Sequence, residues 1–373
     1  MASEWKLTAE NSTSIRSGTV EAPTSLNETS TESPPTSMSS LGATGFISNE
    51  VRELVVDLIM NVIIQISLRV LSIVSNIVNI LIFAQIGLDD GVTVTFFALA
   101  VSDLMWSIFG LSVRVFTMTD VIFKVRPYVR LRSLAYILSW YTSLFADWSM
   151  LITLFLSVQK CACVAVPLLF KHLFTARRCI LLLICVFVAV VVWYAPILSS
   201  LRMVRAFDKS TNSTRLRGKR VAYFWSAYAL WQPVNKIVLP AVSLSGVSIC
   251  VLILVTKLRQ AIEFRQAATV ESQTSKNNST KTKEVRVIQA VVLVSTIFVV
   301  CYTPDIIRRL CEIAFPMFRE KGPYNNIHTL VNQFHNVATL VNSSVNVFVY
   351  LKFNSRYRQL FLSVVWHRWA LTK

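Results

Sequence analysis

The chain has 373 residues, of which 54% are hydrophobic and 15% charged, with a formal net charge of +17. A soluble domain ordinarily carries about 25% charged residues, so this balance argues against a soluble globular protein. No nucleotide-binding loop, metal-ligand cluster or catalytic-triad pattern appears, which leaves hydrolase, kinase and metalloenzyme readings unsupported, and nothing points to nucleic acid as a partner.

Residues 1–52 are rich in Ser and Thr and contain Pro23, Pro34 and Pro35. Such a composition cannot bury a core, and it predicts a disordered tail. It lacks the apolar centre of a cleavable signal peptide, so the first span is expected to act as the targeting signal. Asn11-Ser-Thr and Asn27-Glu-Thr in this tail, and Asn212-Ser-Thr further on, match the glycosylation acceptor pattern. Asn277 and Asn278 also match it, on the face opposite to that of the other three.

Seven stretches then meet the need of about 20 mostly apolar residues per bilayer crossing: roughly 60–86, 93–117, 134–164, 179–201, 233–257, 285–312 and 327–351. The fourth, CILLLICVFVAVVVWYAPIL, is the most uniformly apolar. The seventh is interrupted by Asn332, Gln333, His335, Asn336, Asn342 and Asn346. The expectation is an all-α membrane protein. Residues 53–352 form a seven-transmembrane helix bundle, and 353–373 form a short amphipathic helix and a cytoplasmic tail. All seven cysteines fall within or at the ends of spans, so no loop-to-loop disulfide is expected. With the N-terminus outside, the outer side holds 20 Lys/Arg and the inner side 16, so the excess of cytoplasmic positive charge that usually orients such proteins is absent.

Polar side chains inside spans are costly and usually face the bundle interior. Asn76 and Asn79 lie mid-way along the first span, Asp103 along the second, and Asp147 and Ser149 in the third. Asn342, Ser343 and Asn346 lie in the seventh. A carboxylate among amide and hydroxyl oxygens suits a small hard cation such as Na⁺, or a polar network that rearranges. Pro196, Pro240 and Pro304 interrupt spans four, five and six, and each removes a backbone hydrogen bond. Pro304, two residues after Tyr302, reads as a hinge.

In order and spacing these residues resemble the rhodopsin-like family of G-protein-coupled receptors over about 60–365. Asn76 fits the first-helix Asn, LAVSD with Asp103 fits LAxxD, and CYTP fits CWxP with Tyr302 for Trp. NSSVNVFVY, ending in Tyr350, fits NSxxNPxxY with Val347 for Pro, and Pro240 fits the fifth-helix proline. KFNSRYRQLF resembles the short helix that follows, with Tyr357 for Phe. The texture of the loops is similar to that of divergent invertebrate chemosensory-like or peptide receptors. The resemblance implies a plasma-membrane protein with its N-terminus outside, a ligand in the outer half of the bundle, and a heterotrimeric G protein on the loop 258–284. It also implies a sodium site at Asp103, Ser149, Asn342 and Asn346.

The chain departs from the pattern in several places. The acid–Arg–aromatic triplet ending the third helix is Gln159-Lys160-Cys161. Lys160 keeps the charge without the planar fork of arginine. Glu284 lies within its reach by family spacing, so the pair is either an inactive-state lock or two solvated charges. The outer disulfide has no counterpart: its helix-three position is Ala135, and residues 202–232 contain no Cys. The fourth helix has Phe187 near the usual Trp. These losses keep open a poorly coupling receptor or scaffold, and a transporter remains the rival of a different class. The usual amine-anchoring acid is Thr142 here, with Asp147 about one and a half turns deeper. The outer loops and span ends carry 17 Lys/Arg against Asp120, Asp208, Asp305, Glu312 and Glu320. This is a field that would concentrate an anionic ligand, or one covered by the acidic tail. Asp147 is then a deep ligand contact or a packing residue. The basic residues around 257–283 suit a G protein or anionic lipid headgroups.

Overall fold

The computed structural model describes residues 48–122, 128–166, 170, 172–208, 212–269, 277–318 and 322–371, chiefly by backbone alone in 261–269, 277–291 and 364–371. The sequons at Asn11 and Asn27, and nearly all of the 1–52 tail, lie outside the described residues. The structure is 86% helical. A helical turn Asn49–Arg52 and a wide π-helical stretch Glu53–Ile64 run straight into α1, Gln65–Ile86, so the helix begins a few residues before the expected boundary at 53. There follow α2, Gly91–Ile122; α3, Leu131–Ala165; and α4, Ala176–Ser199. Beyond a β-hairpin, a helix Phe224–Pro233 and a π-turn Val234–Val238 lead into α5, Leu239–Thr269. The last three helices are α6, Asn277–Ala314; α7, Asn325–Phe353; and α8, Ser355–Leu371.

Among the described residues five helical segments are long and apolar enough to cross a membrane: Glu50–Ile86, Gly91–Asp120, Leu131–Ala165, Ala176–Ser199 and Phe224–Lys257. Neither α6 nor α7 joins that set, so the seven-span expectation holds at this level only for its first five members. Both still pack into the bundle, α6 against α5 and α7, and α7 against α1. Several of the polar residues of α7, Gln333, Ser343 and Asn346, bind it to α1 and α2.

The distribution of polarity is inverted relative to a soluble bundle. On α1 the stripe Gln65, Arg69, Ser72, Asn76, Asn79 and Phe83 recurs every three or four residues and is buried. Val70, Val74, Ile77 and Leu81, on the opposite face, are exposed. Likewise α4 exposes Leu181, Ile184, Val188 and Val192. An apolar belt of this extent is an aggregation surface in water and a matched surface in hydrocarbon.

Five apolar clusters of buried residues hold the helices together, two of which join α6 to its neighbours through Met150, Val247 and Phe298 and through Val294 and Val349. Val92, Leu99, Ile152, Leu156 and Leu183 join α2, α3 and α4. Trp140, Val190, Tyr194, Phe224 and Trp231 join α3 and α4 to the helix Phe224–Pro233. Ile82, Phe83, Val347, Tyr350 and Tyr357 seat α8 against α1 and α7. On α8, Tyr357 is buried while Arg356, Arg358 and Gln359 are exposed. Glycine is required where α2 starts: a Cβ on Gly91 would lie 2.5 Å from the Phe174 carbonyl oxygen and 2.7 Å from Cys179 Sγ.

The all-α expectation needs one amendment. Strands β1, Leu201–Asp208, and β2, Ser213–Arg220, pair antiparallel from Leu201↔Arg220 to Asp208↔Ser213. Asn212 makes the turn at φ 48°, a left-handed conformation that asparagine tolerates. This hairpin answers how the loop is held without a disulfide, since all seven cysteines are free thiols. The Arg130 amide donates to the Leu216 carbonyl and the Leu216 amide to that of Tyr128, both at 2.9 Å, while the Val221 amide donates to Ser200 at 2.9 Å. The Arg220 guanidinium lies 5.1, 5.0 and 5.1 Å from the ring centres of Tyr136, Phe224 and Trp225, a cation–π arrangement.

Candidate functional site: a charged cavity above a buried polar path

The sequence-marked polar residues of α1, α2, α3 and α7 converge. Ser149 Oγ donates to Asp103 Oδ1 at 2.5 Å, and Asn346 Nδ2 approaches Asp103 Oδ2 at 3.5 Å. The Ser343 hydroxyl also interacts with this carboxylate. Asn342 makes no hydrogen bond to Asp103; it is half-buried, and its backbone meets Cys301 instead. Asn346 Oδ1 is buried without a partner. An unused amide oxygen beside a carboxylate and a hydroxyl is a donor set suited to a small hard cation. Among the described residues no cluster of His, Cys, Asp and Glu has the form of a metal site.

From Ser343 the path continues through α1. Ser343 Oγ shares a hydrogen bond with Ser72 Oγ at 2.8 Å, and Ser72 with Ser107 Oγ at 2.7 Å. Asn76 Nδ2 donates to the Ser72 carbonyl at 2.9 Å. Asn79 Nδ2 donates to Asn76 Oδ1 at 3.3 Å, and the Tyr357 hydroxyl to Asn79 Oδ1 at 2.6 Å. Burial pushes the Tyr357 hydroxyl pKa upward, so it remains a donor. Tyr350 packs edge-on against Phe83 and Phe96, at 5.2 and 4.9 Å between ring centres.

Toward the other end lies a cavity of about 200 Å³, whose walls include Thr142, Asp147, Tyr302, Lys236, Asp305 and Arg69. Asp147 accepts hydrogen bonds from the Tyr194 hydroxyl at 2.5 Å and from the Asn235 amide. Trp193 Nε1 donates to Asn235 Oδ1 at 2.5 Å. The Asp147 carboxylate is thus anchored to α4 and to the π-turn Val234–Val238, and it also lines the cavity. Thr142 spends its hydroxyl on the Leu138 carbonyl at 3.1 Å. Tyr302 stacks on Phe298 at 4.3 Å and meets His335 edge-on at 5.8 Å, two residues before the Pro304 interruption inside α6.

The charges at the end of α6, counted from the sequence as outer-loop charges, are folded inward. Arg308 Nη2 lies 2.7 Å from Asp305 Oδ1 and Arg309 Nε 2.7 Å from Asp305 Oδ2. Arg308 also pairs with Glu312, which His328 of α7 contacts in turn. Asp305 and Arg308 are 3% and 6% exposed, so part of the outward basic excess is neutralised internally. The spacing of these pairs, three and four residues apart, was legible in the sequence; their burial was not. Arg132 similarly meets Asp120 at 3.2 Å.

Lys160 is buried with Nζ 5.9 Å from the Phe96 ring centre, and Asp90 and Cys163 act on it electrostatically. The Glu284 side chain lies outside the described residues. Gln159 is fully buried, and its Nε2 is 3.5 Å from Cys179 Sγ, close beneath Gly91. Asn212 is exposed at the hairpin tip. Sequence reasoning missed Tyr194, Asn235 and Lys236 as cavity groups and left Arg69 without a role. A polar stripe at 65, 69, 72, 76 and 79 was the available signal. No family model matches this sequence, and no curated protein matches it.

Proposed function

We propose that this chain is a seven-crossing receptor of the rhodopsin-like type, in the plasma membrane with its N-terminus outside, which converts binding of an external ligand into activation of a heterotrimeric G protein. The observation that carries the reading is the continuous polar path from Ser149 and Asp103 through Ser343, Ser72, Asn76 and Asn79 to Tyr357. Serine and asparagine pairs of similar strength exchange partners at little net cost, whereas an interdigitated apolar core does not. Such a seam lets α7 and α8 shift against α1 and α2, and a ligand that prefers one arrangement shifts the population. The cavity sits at one end of this seam, with Tyr302 and the Pro304 interruption in its α6 wall.

In this reading α6 and α7 also cross the membrane. At 38 and 29 residues they span about 57 and 43 Å, against a hydrocarbon thickness of about 30 Å. Asp103, Ser149 and Asn346 hold Na⁺ as an allosteric ion. Sodium in place of choline then raises the unfolding midpoint of the purified chain, and Asp103→Asn abolishes that difference; an equal midpoint in both salts contradicts the ion's role. The receptor reading is tested by expressing the chain with a promiscuous Gα, applying small acids and peptides, and measuring second messenger and uptake together. Ligand-dependent messenger without accumulation supports a receptor. Accumulation without messenger supports a transporter built on the buried carboxylates.

A further inference from the structure

Arg69 lies in the middle of the buried stripe of α1 and is 6% exposed. Its guanidinium is stacked 5.3 Å from the Trp106 ring centre on α2. It rests on Gly110 so closely that a Cβ there would fall 1.9 Å from Nη1. Nε and Nη1 are buried without a hydrogen-bond partner, and the side chain forms part of the cavity wall. Its neighbours do not answer the charge. Gln65, one turn earlier, is committed to Asn61, to Gln333 at 2.7 Å and to Arg114 at 2.7 Å. A second wall cation, Lys236, has its ammonium 5.5 Å from the Trp231 ring centre; among the described residues it makes no ion pair. The third, Arg309, is held by Asp305. The carboxylates of the wall are therefore already hydrogen-bonded or paired, Asp305 by arginines and Asp147 by Tyr194 and Asn235; Lys236 feels both only at a distance, and Arg69 keeps two donors without a partner.

A buried charge without a partner is costly and persists where something completes it. We propose that the cavity is a site for a small organic monocarboxylate, with Arg69 as its anchor and Lys236 as a second positive pole. This rests on the receptor reading and specifies the ligand class of that same cavity. With Nε and Nη1 enclosed by protein, Nη2 is the donor left to meet a carboxylate through a charge-assisted hydrogen bond, and the positive charge of the whole group favours an anion there. The volume of about 200 Å³ equals the liquid share of about seven waters, which favours a compact molecule. The walls hold three cations against two carboxylates, a balance suited to one negative charge. Trp106, Trp231 and Tyr302 supply flat apolar surface for the rest of the ligand. Gly110 has its place here because only glycine leaves room for the guanidinium.

The test uses the full chain in phosphatidylcholine nanodiscs, without G protein, so no anionic lipid competes and coupling plays no part. Benzoate is the probe, with benzamide and benzylamine as neutral and cationic controls of the same shape. Expected is a saturable rise in unfolding midpoint with benzoate alone, with affinity weakened about tenfold or more in both Arg69→Gln and Gly110→Ala. The second variant keeps the charge and moves it, and the clash falls on the end of a flexible side chain, so it guards against a folding failure of the first. The proposal is overturned if benzoate gives no saturable shift, if either control matches it, or if either folded variant keeps wild-type affinity. Arg69-dependent binding by a chain that activates no G protein would fail the receptor reading and leave the carboxylate site standing. Coupling by a chain that prefers benzylamine would do the reverse.

Discussion

From Ser343 to Tyr357 the buried polar groups of α1, α7 and α8 are amides and hydroxyls, each bonded to the next. Around the cavity and the ends of α6 and α7 they are full charges: the Asp305–Arg308–Glu312–His328 cluster is paired, whereas Arg69 keeps two buried donors without a partner and Lys236 makes no ion pair among the described residues. The two regions cost the fold differently. Interhelical hydrogen bonds between neutral groups in a membrane protein are worth about 0.6 kcal/mol on average. Removing one member of a buried ion pair costs about 3–5 kcal/mol because the other charge is stranded. The neutral seam is thus cheap to rearrange and the ionic end expensive to disturb, an arrangement in which ligand events at the charged end are felt along a compliant seam.

Substitutions can break or sharpen this contrast. The largest effect is expected from Asp305→Ala, which strands Arg309, leaves Arg308 with Glu312 alone and should destabilise by about 3–5 kcal/mol, read as a large fall in unfolding midpoint or loss of folded protein. A change below 1 kcal/mol would mean the cluster is solvated rather than buried. Gly91→Ala drives a methyl into backbone at the α2–α4 junction and should cost about 1–3 kcal/mol, with no change in benzoate response. Tyr194→Phe removes the 2.5 Å donor to Asp147 and should cost about 1.5–3 kcal/mol, a loss that Asp147→Asn combined with it should largely cancel in a double-mutant cycle. On the neutral seam Tyr357→Phe should cost only about 0.6–1.7 kcal/mol while changing basal signalling. A cost as large as that of Asp305→Ala would erase the contrast between the regions. The smallest shift, and the one of opposite sign, is Arg69→Met in the ligand-free chain. It relieves an unsatisfied group worth about 1–3 kcal/mol and forfeits a cation–π contact of about 1–2 kcal/mol, for a net gain of about 1 kcal/mol or less.

Much of the helical layout was legible because apolar length survives translation into structure: five expected spans coincide with five apolar helices. The seventh stretch was recognisable from NSSVNVFVY, and the same polar residues that lower its hydropathy make its bonds to Asp103 and Ser72. The hairpin was not foreseen, because LRMVRAFD and STRLRGKR lack a clean apolar–polar alternation and read as a charge run within a basic loop. Asp103, Ser149 and Asn346 were singled out by the family resemblance, and they meet. Asn342 was chosen the same way and turns aside, since a register of one residue on a helix rotates a side chain by about 100° and gives the position to Ser343. The role of Arg69 was not legible, because a sequence names a charge without saying whether anything answers it.

The account depends on α6 and α7 crossing the membrane, and cysteine accessibility in intact cells tests that most directly. Gln260, exposed near the end of α5, and Pro323, exposed just before α7, are changed singly to cysteine and treated with a membrane-impermeant maleimide. Seven crossings with the N-terminus outside predict labelling of Pro323→Cys in intact cells and of Gln260→Cys only after permeabilisation. Labelling of both from the same side would mean that α6 does not cross, and the receptor reading would fall with it.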